Sequence, residues 1–280
     1  MINSKYLQII GLIIFIGIII RIDRDQLFEI IKQSNISSLI FAFIFLFLFN
    51  LIKSLRWHIL VKITHLKPKI IESWKLYNIG LFFGIITPAK LGELGKIAFL
   101  KNEGVDAKVG FKLVLIDRFA DIVVILFLSI LGFGIVFNID YEFVVFIIFL
   151  YMLVLFFILK SKILIQKIFS PLFISNFLLS LVLLYTFISW FFYFLWCVNI
   201  AWCVNIEVNV FVLISAFTIT GIISSLPIAP AGLGTRDLSL LTLLSIYNVN
   251  HSQIVALSML MFVSILFSTI PGALYWLLKK

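Results

Sequence analysis

The charged residues of this chain fall where an anion could be held. Pro88-Ala89-Lys90-Leu91-Gly92 recurs as Pro230-Ala231-Gly232-Leu233-Gly234, 230 − 88 = 142 residues later in a chain of 280. Each copy follows an apolar stretch and precedes a short apolar segment with an acid, Glu93 in one and Asp237 in the other. Lys90 and Lys96 stand in the first segment, Arg236 in the second, and Asp117-Arg118-Phe119-Ala120-Asp121 lies early in a later apolar run. A helix that restarts after a Pro/Gly break exposes unpaired N–H groups and about half a positive charge. With Lys90, Arg118 and Arg236 nearby, the expected occupant is an anion, phosphate above all. Arginine offers a fork for such a group and lysine a point charge. Gly92, Gly232 and Gly234 allow close backbone approach. Glu93, Asp121 and Asp237 either orient the cations or take a coupling proton.

Plainer roles stand beside these. Glu93 and Lys96 are three residues apart, as are Arg118 and Asp121, so each pair can close as a structural ion pair. Arg236 and Asp237 fall in an external loop if the second segment is shallow. Arg56, His58 and Lys62 end an apolar run and are expected to snorkel to the headgroups. Gly80-x-x-x-Gly84 reads as a helix-packing signal.

Only a membrane supplies the elements that position these residues. The chain is 63% hydrophobic and 12% charged, with 31 Phe and a mean hydropathy of +1.21. A soluble domain is about half apolar and a quarter charged. The expectation is an all-α polytopic membrane protein, a single transmembrane domain over 1–280. A span needs about 20 apolar residues, and six candidates meet or approach this: 6–20, 38–55, 111–138, 141–159, 172–198 and 253–278. The first, Leu7–Ile20, lacks a small-residue cleavage site and reads as a retained anchor.

Two further apolar segments, 74–87 and 209–227, run into the repeated motif. Pro88 cannot continue a helix and holds Thr87 out of the α region; Pro227 and Pro230 do the same in the second copy. Lys90–Leu100 and Thr235–Tyr247 are too short to cross, so two re-entrant helical hairpins are expected. Lys and Arg crowd 53–75 and 96–112, whereas the turns 138–142, 199–209 and 248–252 have none. The basic loops, and both termini, are therefore expected in the cytoplasm of a cell-membrane protein. Three full spans separate the hairpins, so they enter from opposite sides: an inverted repeat, about 38–138 and 172–280. Paired broken segments of this kind point to a transporter with its site at the breaks.

Several classes fall away. The net charge of +9 follows from the positive-inside rule and gives no reason to expect nucleic acid. Cys197 and Cys203 lie in a tandem duplication, Trp196–Ile200 then Trp202–Ile206, which extends one helix end and suggests neither disulfide nor metal. No cofactor is expected, and no Gly-Lys-Ser/Thr loop suggests ATP use.

Three blocks carry a resemblance over nearly the whole chain: Thr87-Pro88-Ala89-Lys90-Leu91-Gly92-Glu93 with Lys96, then Asp117-Arg118-Phe119-Ala120-Asp121, then Leu226–Asp237. In that order they resemble the flippase-like family named for the lysylphosphatidylglycerol synthase transmembrane region. Its pattern is approximately Pro-x-Arg-x-Gly-Glu-x-x-Arg, Glu-Arg-x-x-Asp and Pro-x-x-Pro-x-Gly-x-Gly-x-x-Glu. Lys90 and Lys96 stand where Arg is common, and Asp117 and Asp237 where Glu is, so forked anion capture is weaker here.

The resemblance implies movement of a lipid with a polar head, either a phosphate-bearing lipid or a polyprenyl-phosphate-linked glycan. In some relatives the region is fused to an aminoacyl-transfer domain; this chain stops at Lys280 and is not expected to synthesise lipid. Three rivals remain: a secondary transporter of a small anion, a non-transporting partner of a glycosyltransferase, and a membrane enzyme. For the last, no His, Cys or Ser constellation accompanies Glu93 or Asp121. The oligomeric state is not legible.

Overall fold

Asn35 starts a long apolar run in the first half. Its side-chain Oδ1 accepts from the Ser37 and Ser38 N–H groups at 3.0 and 3.3 Å, satisfying two donors that a helix start leaves orphaned. Asp106 caps a second long run through the Lys108 N–H at 2.9 Å. A computed structural model describes residues 24–87, 92, 94–160, 176–225 and 234–278. Among the described residues there are ten helices and no strand. They are α1 Arg24–Lys32, α2 Ile36–Val61, α3 Ile70–Ile86, α4 Gly95–Asn102, α5 Ala107–Val136, α6 Tyr141–Lys160, α7 Asn176–Cys203, α8 Val210–Ser225, α9 Thr235–Ser245 and α10 His251–Leu278.

Four of these, α2, α5, α7 and α10, are long and apolar enough to cross a membrane, and they match four of the six expected spans. α6 matches a fifth in position; 6–20 lies outside the described residues. The duplicated Trp-Cys-Val-Asn-Ile does extend a helix end, since α7 runs on to Cys203. Both cysteines are free and buried. α6 packs on α5, where Tyr151 donates to the Val123 carbonyl at 2.6 Å. The rest of α6 turns Phe143, Phe146, Phe149, Phe156 and Phe157 outward, an apolar face that lipid covers.

α3 ends where Pro88 requires. Thr87 takes an extended backbone, φ −98° and ψ 145°. Its hydroxyl accepts from the Gly92 N–H, and Gly92 lies so close to the Phe83 carbonyl that any side chain would collide with it. α4 then packs back on α3. The start of α3 and the end of α4 line one cavity at the lysine-rich end. α8 and α9 pack on each other as well. Ser215 and Thr218 of α8 pack on Gly132 near the α5 C-terminus. Tyr247, just after α9, donates to the Val136 carbonyl at 3.0 Å.

The packing of one half has its counterpart in the other. α2 runs along α7; α3 packs on α10 as α8 packs on α5; α4 packs on α5 as α9 packs on α10. The α3–α10 contact is closed at Gly272, whose missing side chain admits the Asn78 carbonyl. Gly272→Ala should therefore cost about 1–3 kcal/mol by overpacking, read as a lower thermal midpoint in detergent. Gly95→Ala is the control, because nothing lies within 4 Å of its Cβ position; its midpoint should hold.

At the end away from the lysine-rich loops, hydrogen bonds tie helix ends together. Gln253 Nε2 on α10 donates to the Val204 and Asn205 carbonyls at 3.1 and 2.9 Å. The Asn35 N–H donates to the Cys203 carbonyl at 3.0 Å.

Candidate functional site

Asp117 and Asp121 are one turn apart and share a face of α5. On α2, Lys53 and Arg56 share the facing side. Arg56 uses all five N–H groups of its guanidinium. Nε donates to Asp117 Oδ1 at 2.8 Å. Nη1 donates to Asp121 Oδ1 at 2.9 Å and to Thr186 Oγ1 on α7 at 2.7 Å. Nη2 donates to the Asp117 carbonyl at 3.1 Å and to Asp121 Oδ2 at 3.0 Å. Lys53 Nζ also reaches Asp121 Oδ2, at 2.8 Å, and stands over the Phe49 and Trp190 rings at 4.9 and 5.9 Å.

Lys96 comes to the same carboxylates from α4. Its Nζ is 3.8 Å from Asp117 Oδ2 and lies over the Trp57 and Tyr77 rings at 4.5 and 5.0 Å. Its stem crosses α3 at Gly80, where an added Cβ would meet Lys96 Cε at 2.5 Å. Gly80 thus makes room for a buried lysine rather than for a helix. Arg118, half-buried, follows Asp117 on α5.

Two expectations are corrected here. Arg56 does not snorkel: it is 0% exposed, because α2 continues to Val61 and carries it inward against α5 and α7. His58 does not snorkel either. It is buried, and its ring Nδ1 lies 2.9 Å from Ser73 Oγ. Lys62 alone of the three is exposed.

Four cations, Lys53, Arg56, Lys96 and Arg118, gather around Asp117 and Asp121 among the described residues. Beside them, the indole N–H groups of Trp57 and Trp190 are buried with no hydrogen-bond partner among the described residues. Orphaned donors and clustered cations both suit an anionic oxygen.

A second charged site lies on α9. Gly234 takes φ +79°, a conformation that favours glycine, and its N–H donates to Asp237 Oδ2 at 2.7 Å. The α9 start is therefore capped by its own acid, which also accepts from the Ser258 hydroxyl on α10. Arg236 is 4% exposed. Its Nη2 donates to the Ser258 carbonyl at 3.0 Å and lies 3.5 Å from Asp237 Oδ1.

Aromatic residues extend from the first site along α7. The Phe49 and Trp190 rings under Lys53 both touch Tyr193, at 5.6 and 4.9 Å between centroids.

Of the residues singled out in the sequence, Lys96, Arg118 and Asp121 come together in the first site, and Gly234, Arg236 and Asp237 in the second. Gly92 serves the close turn at the end of α3. Lys90, Glu93 and Gly232, with the breaks at Pro88, Pro227 and Pro230, lie outside the described residues. Sequence reasoning passed over Lys53, Thr186, Trp57 and Tyr77, and gave Arg56 another role. One signal was present: Lys53 and Arg56 are spaced for one helix face, as Asp117 and Asp121 are.

Comparison with known proteins agrees with this architecture. The family described as the lysylphosphatidylglycerol synthase TM region matches residues 8–272. A UPF0104 membrane protein of Methanocaldococcus jannaschii is 28% identical over 135 residues, 47% of this chain. The match covers 40% of that relative's length.

Proposed function

We propose lipid transport as the role of this chain, which belongs to the family of the lysylphosphatidylglycerol synthase transmembrane region. The cargo is a lipid whose head carries phosphate, or a phosphate-linked glycan lipid, and the protein acts as a flippase and not as an enzyme. The observation that carries this reading is the cluster of buried cations, Lys53, Arg56 and Lys96, around Asp117 and Asp121, with the orphaned Trp57 and Trp190 N–H groups beside it. A phosphate suits those cations and accepts from those N–H groups. The acyl or prenyl tails stay outside, along faces rich in phenylalanine.

The mechanism follows from the paired packing of the two halves. The inverted repeat, about 38–138 and 172–280, lets one half rock on the other, with both hairpins re-entering toward the bilayer centre. The described conformation has hydrogen bonds closing one end, through Tyr247 and Gln253, and a cavity at the lysine-rich end. It represents a state open on the lysine-rich side, which the positive-inside rule makes cytoplasmic in a cell membrane. Asp121, held by Arg56 and Lys53, is the group to release those cations, or take up a proton, when phosphate enters.

Arg118→Ala and Arg236→Ala test the reading in vesicles containing a head-labelled phospholipid. Each removes a charge-assisted contact, so initial translocation rates should fall by about tenfold or more. Normal rates in both variants would remove the anion site from the account.

A further inference from the structure

We propose that the groove between α5 and α8 carries a proton to Asp121 from the end away from the lysine-rich loops, in exchange for a lipid head; the exchange rests on the lipid-transport reading above. Asp121, Ile125, Ser129 and Gly132 recur at helical spacing on one stripe of α5. α8 packs along that stripe. A Cβ added at Gly132 would meet Thr218 Oγ1 and the Ser215 carbonyl. One added at Gly221 would meet Ile125 and, at 3.9 Å, Trp190 of α7. Asp121 is therefore one turn from the Gly221 contact, and Ser129 lies between the two contacts. Beyond Gly132 the stripe reaches Val136, whose carbonyl accepts from Tyr247.

The hydroxyls in this groove indicate what it holds. Ser215 and Thr218 return theirs to carbonyls of their own helix, at 2.6 and 2.7 Å. Ser129 does not: it is 2% exposed, and its Oγ has no hydrogen-bond partner among the described residues. Ser224, one turn after Gly221, is orphaned in the same way, as is the Trp190 indole. An orphaned buried hydroxyl calls for a water. A hydroxyl both donates and accepts, so together with single waters it passes a proton along. At 1.5 Å per residue, Ser129 is about 12 Å from Asp121 and Val136 about 22 Å. At Gly132 the helices are too close for even a methyl group, which admits a proton hop and shuts out a hydrated sodium ion.

Asp121 is where such a proton has a use. Around it stand Lys53 and Arg56 from α2, Lys96 from α4, and Asp117 and Arg118 on α5, with Tyr77 of α3 under Lys96. α8 brings no titratable side chain, and from α7 Tyr193 stands behind Phe49 and Trp190. A phosphate that draws Lys53 and Arg56 to itself leaves Asp121 buried and uncovered, and a proton neutralises it. When the head departs, the cations return and the proton leaves. Head and proton reach the site from opposite ends, so the two move in exchange.

The test uses vesicles containing the full chain and head-labelled phosphatidylglycerol, with a difference of about one pH unit imposed across the membrane. At about one proton per lipid, the label should gather on the acid side by about tenfold over its distribution at equal pH. Ser129→Ala removes only an orphaned hydroxyl, so its thermal midpoint should equal or exceed that of wild type. Its approach to the gradient-driven distribution should slow by about tenfold or more, whereas a serine that only packs would leave that rate alone. Label that moves but stays evenly spread, or gathers on the alkaline side, overturns the path and keeps transport; so does an unchanged rate in Ser129→Ala. A second measurement needs no transport. In weakly buffered detergent solution, binding of phosphatidylglycerol should take up about one proton per lipid, and more slowly in Ser129→Ala. Such uptake by a protein that moves no lipid overturns the transport reading and keeps the path, and binding without uptake overturns the path.

Discussion

Arg56→Ala should cost about 3–5 kcal/mol, a large part of the stability of an ordinary domain. The expectation comes from what the substitution leaves behind. Asp117 and Asp121 together accept four bonds from that guanidinium, and both are buried. Without it they are two carboxylates facing each other across one helical turn, with Lys53 and Lys96 as partial compensation. Thr186 also loses its donor, so the α2–α5–α7 junction loosens. Arg56→Lys keeps the charge but not the fork, and should recover only part of the loss. Equilibrium unfolding in mixed micelles measures the effect, and a change below about 1 kcal/mol would show that the cluster is not the structural centre described here.

Lys96→Met should cost less stability than Arg56→Ala and stop transport. The methionine has similar length, so it fits the groove over Gly80 and beside Trp57 and Tyr77. Removing one partner of a buried ion pair is destabilising when the other is left uncompensated. Here the Lys96–Asp117 contact is long, at 3.8 Å, and Arg56 still covers Asp117, so the loss should stay below that of Arg56→Ala. If Lys96 receives the phosphate, translocation should fall by about tenfold or more even though the protein stays folded. A purely structural lysine would leave the rate unchanged. The two readouts, unfolding and translocation, separate these roles within one variant.

The fold was legible where physics is local. Long apolar runs can only be spans, and Pro88 forced the end of α3 through the backbone of Thr87. Lysine-rich and lysine-poor loops sorted the ends of the helices, and the hydrogen bonds of Tyr247 and Gln253 gather the lysine-poor ones together. The site was legible only in part. The charges in the repeated motif and in the 117–121 block stood out because they interrupt apolar sequence. Arg56 did not, because it falls at the end of its run, where a cation in lipid headgroups is the ordinary outcome. Its burial depends on α2 continuing to Val61 and on the proximity of α5 and α7, a tertiary fact. The same holds for Lys96 and Asp117, which lie 21 residues apart in sequence and meet only because α4 folds back beside α5. Gly80 was read as a helix-packing residue; what it accommodates is a side chain from the next helix of the hairpin.

The central claim is that a lipid with a phosphate head crosses the bilayer at these buried cations. It is tested most directly by following a head-labelled phospholipid in vesicles, with and without the wild-type protein, using a reductant that cannot cross the membrane. The account predicts that protein-containing vesicles lose label beyond the outer-leaflet share, and that a labelled lipid without phosphate stays protected as it does in empty vesicles. Protection equal to that of empty vesicles for the phosphate-bearing lipid, or equal movement of both lipids, would contradict it.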